Sequence, residues 1–155
     1  MKTKTIVGLL LSFVVCGLFA SVALAQPWRG WRGSDGWGMN SAYQRTYNPA
    51  TAETLSGEIV AIEKTVPIRG MANGIHLTVK TAKETIAVHL GPQWFIERLD
   101  TKLEKGNSIE VKGSRVTFDG KPAIIAAEVK KGEETILLRN ETGIPVWSGM
   151  GARQR

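Results

Sequence analysis

Leu90-Gly91-Pro92-Gln93-Trp94-Phe95 separates two apolar-patterned runs, and its reading decides the fold. Just before it, residues 85–90 set Ile86, Val88 and Leu90 against Thr85, Ala87 and His89, the period-two pattern of a strand with one buried face. Gly91-Pro92 stops that strand, and proline suits the first turn of a helix because its missing N–H would have no partner there. A short aromatic helix over residues 93–98 follows, with Trp94, Phe95, Ile96 and Leu99 on its apolar side. Leu103-Glu104-Lys105-Gly106-Asn107 reads as a turn, and Ile109, Val111 and Val116 mark a strand that crosses Gly113.

Working outward, residues 75–80 alternate Ile75, Leu77 and Val79 with His76, Thr78 and Lys80, and the polar link 81–84 makes a hairpin with the strand that follows. If the apolar faces coincide, Ile75 pairs with Leu90, Leu77 with Val88 and Val79 with Ile86. Leu55, Ile59, Val60 and Ile62 form a long first strand, with a bulge expected at Gly57. Residues 66–74 are a loop closed by the turn signal Asn73-Gly74. Downstream, Asp119-Gly120 is a hairpin turn, 123–129 a strand, Lys131-Gly132 a turn, and 135–139 a last strand extended by 144–147. Short strands must hide their edges, so this order predicts an all-β fold. The architecture is a small OB-fold-like barrel of five to six strands with a short capping helix between strands 3 and 4. Gly91, Pro92, Trp94 and Phe95 are its expected structural plug.

Four stretches also carry a resemblance: Leu55-Ser56-Gly57-Glu58-Ile59-Val60, Val88-His89-Leu90-Gly91-Pro92-Gln93-Trp94-Phe95, Leu103-Glu104-Lys105-Gly106-Asn107-Ser108-Ile109-Glu110-Val111-Lys112-Gly113-Ser114 and Ala126-Ala127-Glu128-Val129. Through them residues 54–129 resemble the small exported bacterial OB-fold proteins of the periplasmic BOF type. The resemblance implies a barrel and an envelope setting, and it brings no catalytic residues. Proteins that look like this include envelope and stress factors and modules of metal- and haem-handling systems. A nucleic-acid role follows only by analogy of fold.

The N-terminus speaks to compartment. Lys2 and Lys4 precede an apolar run over residues 6–24, and Ala23-Leu24-Ala25 has the small-x-small pattern read by signal peptidase. The expected signal peptide is 1–25, with the alternative of an uncleaved anchor, since about 19 apolar residues just span a bilayer. Cys16, the single cysteine, lies in that run with neither the preceding nor the following residues of a lipidation site. Cleavage before Gln26 leaves no stable membrane span and no cysteine, so a hydrophobic core must supply the stability. The expected location is periplasmic. Without Lys2 and Lys4, 18 basic and 14 acidic residues remain, a net +4 that favours anionic partners without the charge density of a dedicated nucleic-acid binder.

The mature chain divides into an arm (26–52), a barrel domain (53–147) and a frayed basic tail (148–155). The arm holds Trp28, Arg29, Trp31, Arg32 and Trp37 among glycines that break any helical or strand period. It reads either as a flexible binding arm for an envelope protein partner or small ligand, or as a tail whose tryptophans fold back on the domain. His76 and His89 fall opposite each other in the predicted hairpin, on the non-core face, where Cβ atoms are roughly 5 Å apart. Two imidazoles so placed are a candidate divalent-metal site if Glu84, Glu97 or Asp100 adds a carboxylate; otherwise they are ordinary rim histidines. No nucleophile turn, zinc-protease helix or phosphate loop is present, which argues against an enzyme and against a resident cofactor. The reading is a non-enzymatic binding or assembly module of the cell envelope, ahead of a metal-handling accessory protein and of a single-stranded nucleic-acid binder. The last lacks aromatic platforms on the strand faces.

Overall fold

The computed structural model describes residues 35–150. The expected signal peptide, Cys16, Trp28, Arg29, Trp31, Arg32 and the end of the basic tail lie outside the described residues. Six strands, β1 (Ala52–Thr65), β2 (Gly74–Thr81), β3 (Thr85–Pro92), β4 (Ser108–Phe118), β5 (Lys121–Lys131) and β6 (Glu134–Leu137), form one sheet in the order β3-β2-β1-β4-β5-β6. The sheet closes in a ring where β3 also pairs with β5, in parallel, from Ala87↔Ala123 to His89↔Ile125. One helical turn, α1 (Gln93–Ile96), sits between β3 and β4. This is the all-β connectivity expected from the sequence.

The alternation of the β2–β3 hairpin is buried as the pattern requires. Leu77, Val79, Ile86 and Val88 are within 2% of full burial. The register holds from His76↔His89 to Lys80↔Thr85, Leu77↔Val88 and Val79↔Ile86 included. It departs at the open end, where Ile75 pairs with Gly91 rather than Leu90. The ring of Trp147 presses there, and a Cβ on Gly91 would stand 2.7 Å from it. Only a residue without a side chain fits, so Leu90 is the residue bulged out of register.

Gly57 is not the bulge of β1. It pairs with Thr81 of β2 and Ile109 of β4 in unbroken ladders, and the register shift lies between Ile59 and Ala61. Gly57 is where β1 passes from one neighbour to the other, and a Cβ there would meet the Lys80 carbonyl oxygen at 2.5 Å. Close backbone approach, rather than a kink, requires this glycine.

Two segments outside the ring complete the core. Residues 35–51 carry two short 3-10 turns, Gln44–Thr46 and Pro49–Thr51, and place Trp37 and Tyr43 at 1% exposure. Residues 138–147 turn back on themselves through the bridge Arg139↔Pro145 and end in Trp147, fully buried. β6 stops at Leu137, so the strand expected over 135–139 with an extension at 144–147 is corrected to a short strand followed by turns. These four aromatic and aliphatic anchors, Trp37, Tyr43, Leu138 and Trp147, share one apolar cluster with the interior of the ring. That is why β5 is buried without a break from Ala123 to Ala127. The expected arm over 26–52 is therefore corrected for its second half, which is part of the packed body.

The plug is corrected as well. α1 ends at Ile96, short of residue 98, and Trp94 and Phe95 are only half-buried. Gly91 and Pro92 are buried as the end of β3. The deep plug is Trp147, with Phe95 tilted against it at 5.3 Å.

Candidate functional site

Two regions among the described residues stand apart from the rest of the ring in their chemistry. On the first, Trp37 donates its indole N–H to the Ala72 carbonyl (3.0 Å), and Trp147 donates to the Trp37 carbonyl (2.8 Å). Trp37 lies against Gly74, where a Cβ would come within 2.3 Å of its ring. Trp37, the one arm tryptophan among the described residues, thus serves the interior and not an outside partner, and the fold-back reading describes it. Its indole meets Tyr43 edge-on at 4.8 Å.

Beneath Tyr43 lie the two histidines that the sequence paired. They are direct cross-strand neighbours, as predicted, but on a covered face. Their rings stack at 3.6 Å and 9°, with Phe118 stacked on His89 at 5.0 Å. His76 Nδ1 shares a 2.6 Å hydrogen bond with Thr65 Oγ1, and His89 Nδ1 a 3.1 Å one with the Tyr43 hydroxyl. Desolvation lowers the pKa of His76 to about 4. Desolvation, with the charges of His76 and Arg139, lowers that of His89 to about 3. Both are neutral at ordinary pH. Stacked rings point their in-plane nitrogens side by side instead of toward one ion. Glu84 is held by Arg115 and Glu97 by Lys64, so these two proposed third ligands are engaged elsewhere. Among the described residues no group of three or more His, Cys, Asp or Glu is placed to hold a metal ion.

Arg139 completes this region. At 1% exposure it donates from Nη1 to the carbonyls of Leu90 and Ala126 and from Nε to Gln44 Oε1. Its guanidinium lies 4.9 Å from the Trp147 ring, and Nη2 is buried without a hydrogen-bond partner. Burial lowers its pKa, and burial raises that of Tyr43. Nothing in the local pattern of Leu138-Arg139-Asn140 marks this arginine as internal.

The second region lies under α1 and is not filled. A cavity of ≈ 230 Å³ opens into the ring, floored by the fully buried Leu77, Leu90, Val129 and Leu138. Ile96, Leu99 and Leu103 form its lid. No aromatic side chain and no histidine lines it. The cavity exists because α1 is a single turn: the chain leaves it at Glu97 and carries Leu99 and Leu103 across the ring end without closing it. The mouth is polar. Lys64 and Glu97 pair at 2.9 Å, and Gln93 Nε2 donates to the same Glu97 oxygen at 2.8 Å. The Lys64 hydrogen bond is the main cause of a lowered Glu97 pKa. Lys102 Nζ donates to the main-chain carbonyls of Glu97 and Leu99, and Lys131 Nζ donates to the Lys102 carbonyl. The sequence reading named Leu99 and Leu103 only as helix and turn residues; the signal for a lid was the presence of two leucines in so short and polar a connection.

Apolar walls under a charged rim are the make-up of a small-molecule or side-chain pocket. No curated protein matches the sequence. The strands that build this cavity, from the start of β1 into β6, fall within residues 51–136, which match a family model over more than half of the chain, and the protein belongs to the MamS/MamX magnetosome protein family.

Proposed function

We propose that the protein is an exported, non-enzymatic binding and assembly module of the envelope system for which its family is named. It holds an apolar group, from a small ligand or from a partner protein, in the cavity under α1. The observation that carries this reading is a ≈ 230 Å³ space of largely apolar lining that opens to solvent at one end of an otherwise filled ring. Protein interiors close such spaces unless something occupies them, because each void forfeits packing contacts. The non-enzymatic part is supported by the wall itself, whose one carboxylate, Glu97, is tied to Lys64 and Gln93.

Native mass spectrometry of the protein recovered from its host without chelator tests the proposal. The expected spectrum starts at Gln26 and carries an adduct or protein companion that disappears in Leu103→Trp. A mass beginning at Met1 would overturn export with cleavage. A companion retained in Leu103→Trp would overturn the cavity as the site, and one lost instead in His76→Ala/His89→Ala would move it to the histidine pair.

A further inference from the structure

The cavity and its rim together define a ligand class. At roughly 30 Å³ for each water-sized group in a condensed phase, the space accepts about seven or eight carbon atoms. Its walls are mostly aliphatic, with no ring to stack a planar ligand and with Thr101 as the one uncharged polar side chain in the lining. The rim is asymmetric in charge. Lys64 has Glu97 as a partner, whereas Lys102 gives its ammonium only to two main-chain carbonyls, and Lys131 is fastened beside it. In the lining itself two ammonium groups, Lys64 and Lys102, stand against the one carboxylate of Glu97 and leave positive charge at the mouth.

We infer that the cavity takes the tail of a monomeric, straight-chain carboxylate of about seven or eight carbons, with its head at Lys102 and its methyl end on Leu77 and Val129. This deepens the reading of the cavity as the binding site and rests on it. The tail supplies the affinity, at about fourfold per methylene buried. The head adds little, up to about fivefold, because the lysines are exposed to water, but it sets polarity. A cationic head meets Lys64 and Lys102 and is rejected.

Isothermal titration of the full chain with hexanoate, octanoate, decanoate, octanol and octylammonium tests this, alongside phosphatidylglycerol vesicles. Affinity is expected to climb about fourfold per methylene up to octanoate and then level. Octanoate should exceed octanol by up to about fivefold and lose that margin in Lys102→Glu, and octylammonium should bind most weakly. Leu103→Trp should abolish every titration; if it lowers the Tm, Leu99→Phe takes its place. Octanol or octylammonium binding as well as octanoate would overturn the carboxylate and leave the cavity site standing. Affinity still climbing at decanoate would overturn the length. Binding to vesicles with no response to octanoate would overturn a monomeric ligand in favour of membrane lipid. No binding by any probe would overturn both this inference and the cavity site.

Discussion

The two regions of the ring are packed by opposite means. Over the β2–β3 hairpin, two tryptophans, a tyrosine, two histidines and an arginine fill the space, and all but His76, which bonds Thr65 on the neighbouring strand, are tied by hydrogen bonds between segments far apart in sequence. Under α1, mostly aliphatic side chains beneath a charged rim surround an unfilled volume. The first arrangement is rigid and costly to disturb, because buried polar atoms that lose a partner carry a desolvation penalty of about 1–3 kcal/mol each. The second tolerates change, since an aliphatic wall has no directional partners to lose.

The contrast is broken most severely by Trp147→Ala. It empties a fully buried site and frees the guanidinium of Arg139, and a loss of about 3–5 kcal/mol is expected in urea unfolding. A loss much below that would mean the aromatic region is as tolerant as the cavity.

Acid attacks the same region next. Unfolded imidazoles take up protons near pH 6.5, the folded ones only near pH 4 and 3. Below pH 6.5 protons therefore favour the unfolded chain, so the stability is full above that pH and falls by on the order of a few kcal/mol toward pH 4. Glu53, Glu84 and Glu97, held low chiefly by hydrogen bonds to Arg115 or Lys64, contribute their own loss only below about pH 4.5. The decline between pH 6.5 and 4.5 should flatten in His76→Phe/His89→Phe, followed by thermal unfolding across pH. If the decline persists, the histidines are not its source.

Gly74→Ala is a finer probe. The added methyl collides with the Trp37 ring, and a cost of about 1–3 kcal/mol is expected in thermal unfolding, with the Trp37 fluorescence shifted toward that of a wetter indole. The smallest effect is at the other region. Leu103→Trp should leave the stability unchanged or raise it by up to about 1 kcal/mol, because it fills space instead of displacing atoms. A marked loss in that variant would show the lid to be as closely packed as the aromatic side.

The same contrast explains what was legible. The hairpin register could be read because Leu77, Val79, Ile86 and Val88 alternate cleanly, and a one-residue slip would turn all of them outward. Its single error, at Ile75, came from Trp147, more than fifty residues away in the chain. Trp37 was read as an arm residue because its glycine-rich surroundings have no period, and its partners Ala72, Gly74 and Trp147 are remote. The histidines were correctly paired, but the lid of Tyr43 and Phe118 that makes them an interior stack is a tertiary fact. The cavity was invisible because it depends on α1 stopping after one turn, and helix ends are the least determined feature of a pattern.

The hydrogen bond from Trp147 to the Trp37 carbonyl has a consequence for the smallest piece of this protein that can stand alone. The family match ends at residue 136 and begins at 51, so it excludes Trp37, Tyr43, Arg139 and Trp147. A fragment cut to those limits would lose Leu137 from the end of β6 and the clasp that joins the two ends of the described body, leaving β5 wet on one side. The unit that packs as one body is larger than the shared one, and its two flanking segments meet at Trp37 and Trp147.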